Sequence, residues 1–165
     1  MAYFRTDGFI GGQAINETST TQKHPLGTIC RAVDPTYGEG EFIYLLGVAS
    51  TVVGSLVTYT LSSWQTALAP VGDAVSRPVA VAMSANVASS YGWYQISGKA
   101  VVAKTATICC VVGAGVGVQT IGLVTKSDSG KEILGAVFAA TASAATGRTT
   151  VLISIDRPRM QGRIT

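Results

Sequence analysis

Apolar side chains alternate with polar or small ones in short runs along most of the chain. In residues 91–97, Trp93 and Gln95 share one face, while Tyr94 and Ile96 share the other. Glycine, proline, aspartate and serine, which favour turns, separate these runs. The pattern predicts an all-β fold, a single-domain antiparallel β-sandwich or barrel of about nine strands with hardly any helix.

The predicted strands cover residues 26–33, 41–47, 51–61, 78–84, 91–97, 100–103, 105–112, 116–125, 132–140 and 150–156. Both faces of 41–47 are apolar, which predicts a central strand. Ser97 and Gly98 predict a hairpin turn between the strands on either side, because glycine accepts a positive φ. A second hairpin is predicted to join 105–112 to 116–125. Residues 62–69 predict one short helix, since serines can cap its start and a proline follows it.

The two ends of the chain lack strand alternation. Residues 1–25 are rich in glycine and polar residues, and they predict an extended N-terminal arm that a neighbouring subunit orders. The predicted anchors of this arm are its large apolar residues Tyr3, Phe4, Phe9 and Ile10. Residues 26–156 form the predicted β body. Arg157 and Pro158 are expected to end the last strand, so that 157–165 becomes a basic C-terminal tail.

Charge is sparse and unevenly distributed. Charged residues make up 13% of the chain, about half of the roughly 25% typical of soluble domains. A protein with so few charges is a candidate subunit of a larger assembly. The net charge is +3, and basic residues gather near the C-terminus as Arg157, Arg159 and Arg163. These arginines either contact an acidic protein surface or nucleic acid, or stay solvated; no compact basic block predicts specific nucleic-acid binding.

Other features argue against a membrane span and a disulfide framework. The longest nearly apolar run, 108–118, is far shorter than the roughly 20 residues that span a bilayer. The N-terminus lacks the pattern of a secretory signal, so folding in a cytoplasm is expected. Cys30, Cys109 and Cys110 fit neither a disulfide framework nor a zinc pattern, and are predicted to be reduced and buried.

Candidate catalytic chemistry is scarce. His24 is the only histidine, so neither a metal site nor a Ser-His-Asp triad finds its usual set of residues. The glycine-rich stretch 113–117 is followed by strand-like residues and not by the helix that a dinucleotide fingerprint needs. The sequence predicts no enzyme, no cofactor and no metal.

Tyr91, Trp93 and Tyr94 form the densest aromatic cluster of the sequence. Core packing is one interpretation, because aromatic residues bury large areas and are favoured in strands. A stacking surface for carbohydrate or nucleic acid is the other. The alternative function is therefore a glycan-binding sandwich module associated with a virion or a phage tail, and burial of Trp93 would count against it.

Several short motifs occur in the same order as in one known family. They are 26–34 with 37–47, 78–84 with 92–100, 133–139 and 151–155. This series resembles the small capsid decoration, or cement, proteins of tailed bacteriophages.

The resemblance implies a β-rich body on the outer surface of the phage head, made in the host cytoplasm. It implies a homo-oligomer, expected to be a trimer, that stabilises the shell by bridging subunits of the major capsid protein, without catalytic residues. Neither the arm nor the tail matches the family. As a hypothesis, we assign the contacts with the capsid and between copies to Tyr3, Phe4, Phe9, Ile10, Arg157, Arg159 and Arg163.

Overall fold

The computed structural model describes residues 4–5, 12–106, 108–141 and 150–162, with backbone alone for residues 4–5. Twelve strands occur in these ranges: β1 Phe4–Arg5, β2 Thr18–Ser19, β3 Ile29–Asp34, β4 Gly38–Leu46, β5 Leu56–Tyr59, β6 Thr66–Leu68, β7 Val79–Ala82, β8 Tyr91–Ala103, β9 Gly115–Thr120, β10 Leu123–Lys126, β11 Glu132–Phe138 and β12 Thr150–Met160. No helix is found in the described ranges, and hence none that is long and apolar enough to cross a membrane. The predicted all-β class is confirmed.

The strands form one curled antiparallel sheet with β8 at its centre. The main path runs β1-β3-β4-β8-β12-β11-β9-β10, while β2 and β7 also pair with β8, and β5 joins β7 to β6. β4 is buried along most of its length on both faces, which confirms the prediction of a central strand. Because β8 contacts four other strands, its side chains help to fill all three hydrophobic clusters of the core.

The predicted hairpin at Ser97 and Gly98 is wrong. These two residues lie inside β8, which runs without interruption for 13 residues. Gly98 has a φ of +98°, and the position of a Cβ there would touch the Glu39 carbonyl oxygen. The register against β4 also shifts beside it, between Glu41 and Phe42. The glycine therefore serves a β-bulge that bends one long strand, and the chain does not reverse.

Two further local predictions are wrong. Residues 62–69 form a turn and then β6, because Thr66 pairs with Tyr59 of β5 in place of continuing a helix. Within 105–112, whose described part excludes residue 107, no strand is present. The hairpin in this region instead joins β9 to β10, and Gly122, with a φ of +73°, provides its turn.

Part of the predicted arm packs on the body of its own chain. The Ile15 side chain is only 2% exposed and belongs to the same cluster as Trp93, and Thr18 pairs with Gly92 of β8. The sequence pattern missed this because one isolated isoleucine gives no periodic signal. Residues 1–3 and 6–11, with Tyr3, Phe9 and Ile10, lie outside the described residues, so the arm's contact with a neighbour stays a prediction.

The predicted tail begins inside a strand. β12 continues through Arg157 and Pro158 to Met160, whose side chain is fully buried. Proline lacks the N–H that a regular ladder needs, yet a strand accommodates it at a bulge. Arg163 lies outside the described residues. Among the cysteines, Cys30 and Cys110 are buried as predicted, whereas Cys109 is exposed, and all three are in the reduced form.

Candidate interaction groove

The aromatic cluster of the sequence lies in the core. Trp93 and Tyr94 are fully buried, and Tyr91 is half-buried with its ring stacked on that of Tyr44. The Trp93 indole N–H donates a hydrogen bond to the Gln13 carbonyl oxygen at 3.0 Å. The core-packing interpretation is confirmed for Trp93 and Tyr94, which therefore provide no stacking surface for a glycan.

His24 closes the same cluster from outside the sheet. Its ring centroid lies 5.1 Å from the rings of both Tyr44 and Trp93. Its Nε2 accepts a hydrogen bond from the Gln13 N–H at 3.3 Å, and the Gln13 side chain accepts another from the Tyr44 hydroxyl at 2.7 Å. Within the described part of the chain, no three His, Cys, Asp or Glu side chains are arranged to hold a metal ion.

A groove of about 330 Å³ opens on another part of the surface, and we call it the arginine groove. Its lining is mostly apolar, with two arginines that the sequence had singled out. The lining residues are Gly27, Ile29, Ile43, Tyr59, Leu61, Trp64, Ser76, Pro78, Val79, Ile96, Arg157, Pro158 and Arg159. The groove thus forms where four parts of the chain meet: the loop before β3, the turn after β5, the start of β7 and the end of β12.

A bulge in β12 positions the arginines. Between the pairs Ile155 with Ala136 and Arg159 with Leu134, β12 advances four residues while β11 advances two. Arg157 has a φ of +43° in this bulge. Successive side chains of a regular strand point to opposite faces, but here Arg157, Pro158 and Arg159 all line one groove.

The Trp64 indole forms part of the groove and sits on an unusual backbone. Its φ is +56°, a left-handed conformation that costs a non-glycine residue about 1–2 kcal/mol. The Trp64 N–H donates to the Thr60 carbonyl at 2.8 Å, and its indole stacks on Tyr59 with ring centroids 6.4 Å apart. Gly27 faces the indole so closely that an added Cβ would lie 2.6 Å from the ring. Glycine at position 27 therefore leaves the space that the indole occupies.

The charge of the groove is positive. Arg157 and Arg159 are the charged residues among its lining, and both side chains reach an exposed rim. Arg157 Nη2 lies 2.8 Å from Glu41 Oε2, while Glu41 Oε1 lies 3.2 Å from Arg31 Nη2. These are surface ion pairs, worth about 0–1 kcal/mol each. Burial raises the pKa of the Tyr59 hydroxyl, and the two arginines oppose that rise.

The structure thus brings together two of the predicted interface residues, Arg157 and Arg159. Phe4 pairs through its backbone with Val33 at the edge of the sheet. Tyr3, Phe9, Ile10 and Arg163 lie outside the described residues. Sequence reasoning missed Tyr59, Leu61 and Trp64. The available signal was a tryptophan among the polar residues 62–65, which was interpreted as helix.

Chemically, the arginine groove offers an apolar floor beside two guanidinium groups. Such a surface suits a ligand that combines an apolar side chain with an anionic group. Neither a scan of protein-family models nor a search of curated proteins gives a match to this chain.

Proposed function

We propose that this chain is a capsid decoration protein of a tailed bacteriophage, which binds the outer surface of the head as a homo-oligomer and bridges subunits of the major capsid protein. In such a role, each contact is weak, and many copies together stabilise the assembled shell by mass action. Binding that favours the assembled lattice over its precursor raises the stability of the lattice.

The observation that carries this proposal is an apolar surface on a chain with few charges. Only 13% of residues are charged. Among the described residues, large apolar side chains that are at least 42% exposed include Ile29, Leu61, Val111, Val112, Leu134 and Val137. A surface of this kind favours association over free diffusion, because contact with a partner removes apolar area from water.

The exposed apolar residues occur on more than one part of the domain. Ile29 and Leu61 line the arginine groove, whereas Leu134 and Val137 lie on β11, beside a second, open groove of about 470 Å³. A bridging protein needs at least two contact surfaces. This distribution supports bridging better than it supports a single binding site.

The glycan-binding alternative has lost the site on which it depended. It required Tyr91, Trp93 and Tyr94 in an exposed row, and two of these three, Trp93 and Tyr94, are fully buried. No other observation favours it.

Co-sedimentation with empty heads of the phage that encodes the chain tests the proposal. The purified protein, whose oligomeric mass is measured first by light scattering, should saturate the heads at a fixed ratio to the major capsid protein. Protein that stays in the supernatant at all concentrations would contradict the proposed function.

Deletion of residues 2–11 tests the predicted arm without disturbing the core. It leaves Gln13 and Ile15 in place, which contact Trp93 and its neighbours. The deletion also removes the two-residue edge strand β1, which pairs with β3, so we expect a small loss of thermal stability together with a loss of occupancy on heads. Full occupancy would reject a role for the arm's residues Tyr3, Phe4, Phe9 and Ile10.

A further inference from the structure

We propose that the arginine groove binds an extended polypeptide segment of a partner protein, in which an apolar side chain stands next to an aspartate or glutamate. This inference deepens the proposed function, since it rests on that function for the partner's place in the head. The ligand class itself follows from the groove.

Charge complementarity is the first argument for an acidic segment. The charged side chains in the lining are Arg157 and Arg159, and no Asp or Glu accompanies them there. Arg157 already contacts Glu41 at 2.8 Å, which lies outside the lining, so one carboxylate is accepted at this rim within the chain itself. In contrast, the structure gives Arg159 no ion pair within the described ranges. A ligand carboxylate can bind the Arg159 guanidinium through charge-assisted hydrogen bonds.

The floor of the groove supplies the second argument. Leu61 is 65% exposed, and it lines the groove together with Tyr59 and Trp64, whose rings stack on each other. An apolar side chain placed here would remove apolar area of both partners from water, which favours binding. The groove thus offers an apolar contact and an ionic one to the same ligand, because Leu61 and Arg159 both line it.

The third argument is local strain. Among the described non-glycine residues, φ is positive at Ser50, Trp64, Ser89 and Arg157. Two of these four, Trp64 and Arg157, line the same groove although they lie far apart in the sequence. A bulky residue in this conformation is an outlier, and such outliers cluster at binding sites. Both left-handed residues place a large side chain, an indole and a guanidinium, at the same groove.

A glycan fits the groove less well than a peptide does. Sugar hydroxyls are read mainly by side-chain carboxylates, amides and hydroxyls, but the lining contains no Asp, Glu, Asn or Gln. The Ser76 hydroxyl is already donated to the Met160 carbonyl at 2.9 Å. Besides the hydroxyl of Tyr59, a residue that is only 8% exposed, the lining side chains are cationic or apolar, and these match an acidic and apolar peptide.

The test uses the chain's own tryptophans. The sequence has two, and because Trp93 is fully buried, quenching of fluorescence by acrylamide reports on Trp64. The probes are the blocked peptides Gly-Asp-Phe-Gly and Gly-Asn-Phe-Gly. We expect the aspartate peptide to protect Trp64 with a dissociation constant of about 1 mM, typical of a small ligand with few contacts, and the asparagine peptide to bind about tenfold more weakly.

Matched variants separate the groove from general effects on charge and surface. Arg159→Glu and Leu61→Ser should each weaken the aspartate peptide at least about tenfold. Lys126→Glu reverses a charge at the exposed end of β10, and Ile121→Ser removes an apolar side chain that is 59% exposed on the β9–β10 turn. Neither should change binding. Thermal unfolding followed by circular dichroism checks that all four variants are folded.

Three results would overturn the proposal: equal protection by both peptides, no protection by either, or protection by maltohexaose in place of the peptides. Co-sedimentation of the same variants with empty heads distinguishes failure of this proposal from failure of the proposed function. Heads that bind wild type and Arg159→Glu equally, with no peptide protection, would reject the groove and leave the proposed function standing. Peptide protection without binding to heads would reject the proposed function and support the groove's ligand class.

Discussion

The two tryptophans of this chain lie in opposite kinds of environment. Trp93 is fully buried on the central strand β8, and its indole N–H is hydrogen-bonded to Gln13. Trp64 is half-buried in a turn, has a left-handed backbone and borders a groove with two arginines. The first follows every rule that stabilises a core. The second departs from those rules at a surface, which is typical of a residue that serves binding.

The contrast separates the groove from the core as targets for mutation. Changes around Trp93 should affect stability most, whereas changes around Trp64 should affect binding at a smaller loss of stability. Four measurements can break or sharpen this comparison.

Trp93→Ala should have the largest effect. Truncation of a fully buried tryptophan removes its contacts with Tyr44 and His24 and leaves Gln13 without its indole donor. We expect a loss of about 3–5 kcal/mol in the free energy of unfolding, measured with urea. The matched variant Trp64→Ala should lose less than half as much. Its truncation leaves no closed cavity, and the left-handed backbone at position 64 strains tryptophan and alanine alike. Equal losses would contradict the division into core and groove.

Gly27→Ala should displace the Trp64 indole. Its Cβ would lie 2.6 Å from the ring, at a φ of +81°. Gly38→Ala is the control, since Gly38 has a φ of +84° but no atom within 4 Å of an added Cβ. Both variants incur about 1–2 kcal/mol of backbone strain, and Gly27→Ala should lose a further 1–3 kcal/mol, roughly, from the clash. Acrylamide quenching of Trp64 should increase in Gly27→Ala alone; identical behaviour would show that the indole does not depend on Gly27.

Alkaline pH should destabilise the fold through its buried tyrosines. Burial raises the pKa of the Tyr94 hydroxyl above the ordinary value of 10.0, and the nearby polar side chains of Thr66 and Asn86 oppose that rise. The unfolded chain therefore loses this proton first, so the stabilisation is complete below pH 10 and is lost as pH rises through the folded-state pKa. We expect a loss of about 1.4 kcal/mol per pH unit above 10 from this residue, seen in urea unfolding from pH 8 to 11.

Phenylalanine variants show how much of this alkaline loss of stability comes from Tyr94 and how much from Tyr59. Tyr94→Phe should remove its full share of the slope. Tyr59→Phe should remove a smaller share, because Arg157 and Arg159 favour the Tyr59 phenolate and oppose the effect of burial. An unchanged slope in Tyr94→Phe would show that this hydroxyl is not the group that titrates.

Glu41→Gln should have the smallest effect on stability. Its partners Arg31 and Arg157 keep side chains that are 71% and 61% exposed, so solvent screens both ion pairs. We expect a change of less than about 1 kcal/mol in the free energy of unfolding. A loss above about 2 kcal/mol would mean that the pair holds the β12 bulge in place.

Local patterning predicted much of the framework from the sequence. Alternation located β4, β11 and the first part of β12, and it predicted an all-β domain, because the side chains of a strand alternate wherever the strand lies. Aromatic content also predicted the buried positions of Trp93 and Tyr94 as one of two interpretations.

The tertiary structure alone decided the bulges of the sheet and the arginine groove. Gly98 and Pro158 looked like a turn and a strand end, yet each lies in a bulge whose existence depends on the register of the partner strand. The Trp64 indole occupies the space that Gly27 leaves, and Gly27 lies far away in the sequence. A periodic pattern reports on one strand at a time, whereas a bulge or a groove arises from the fit between strands that the sequence keeps apart.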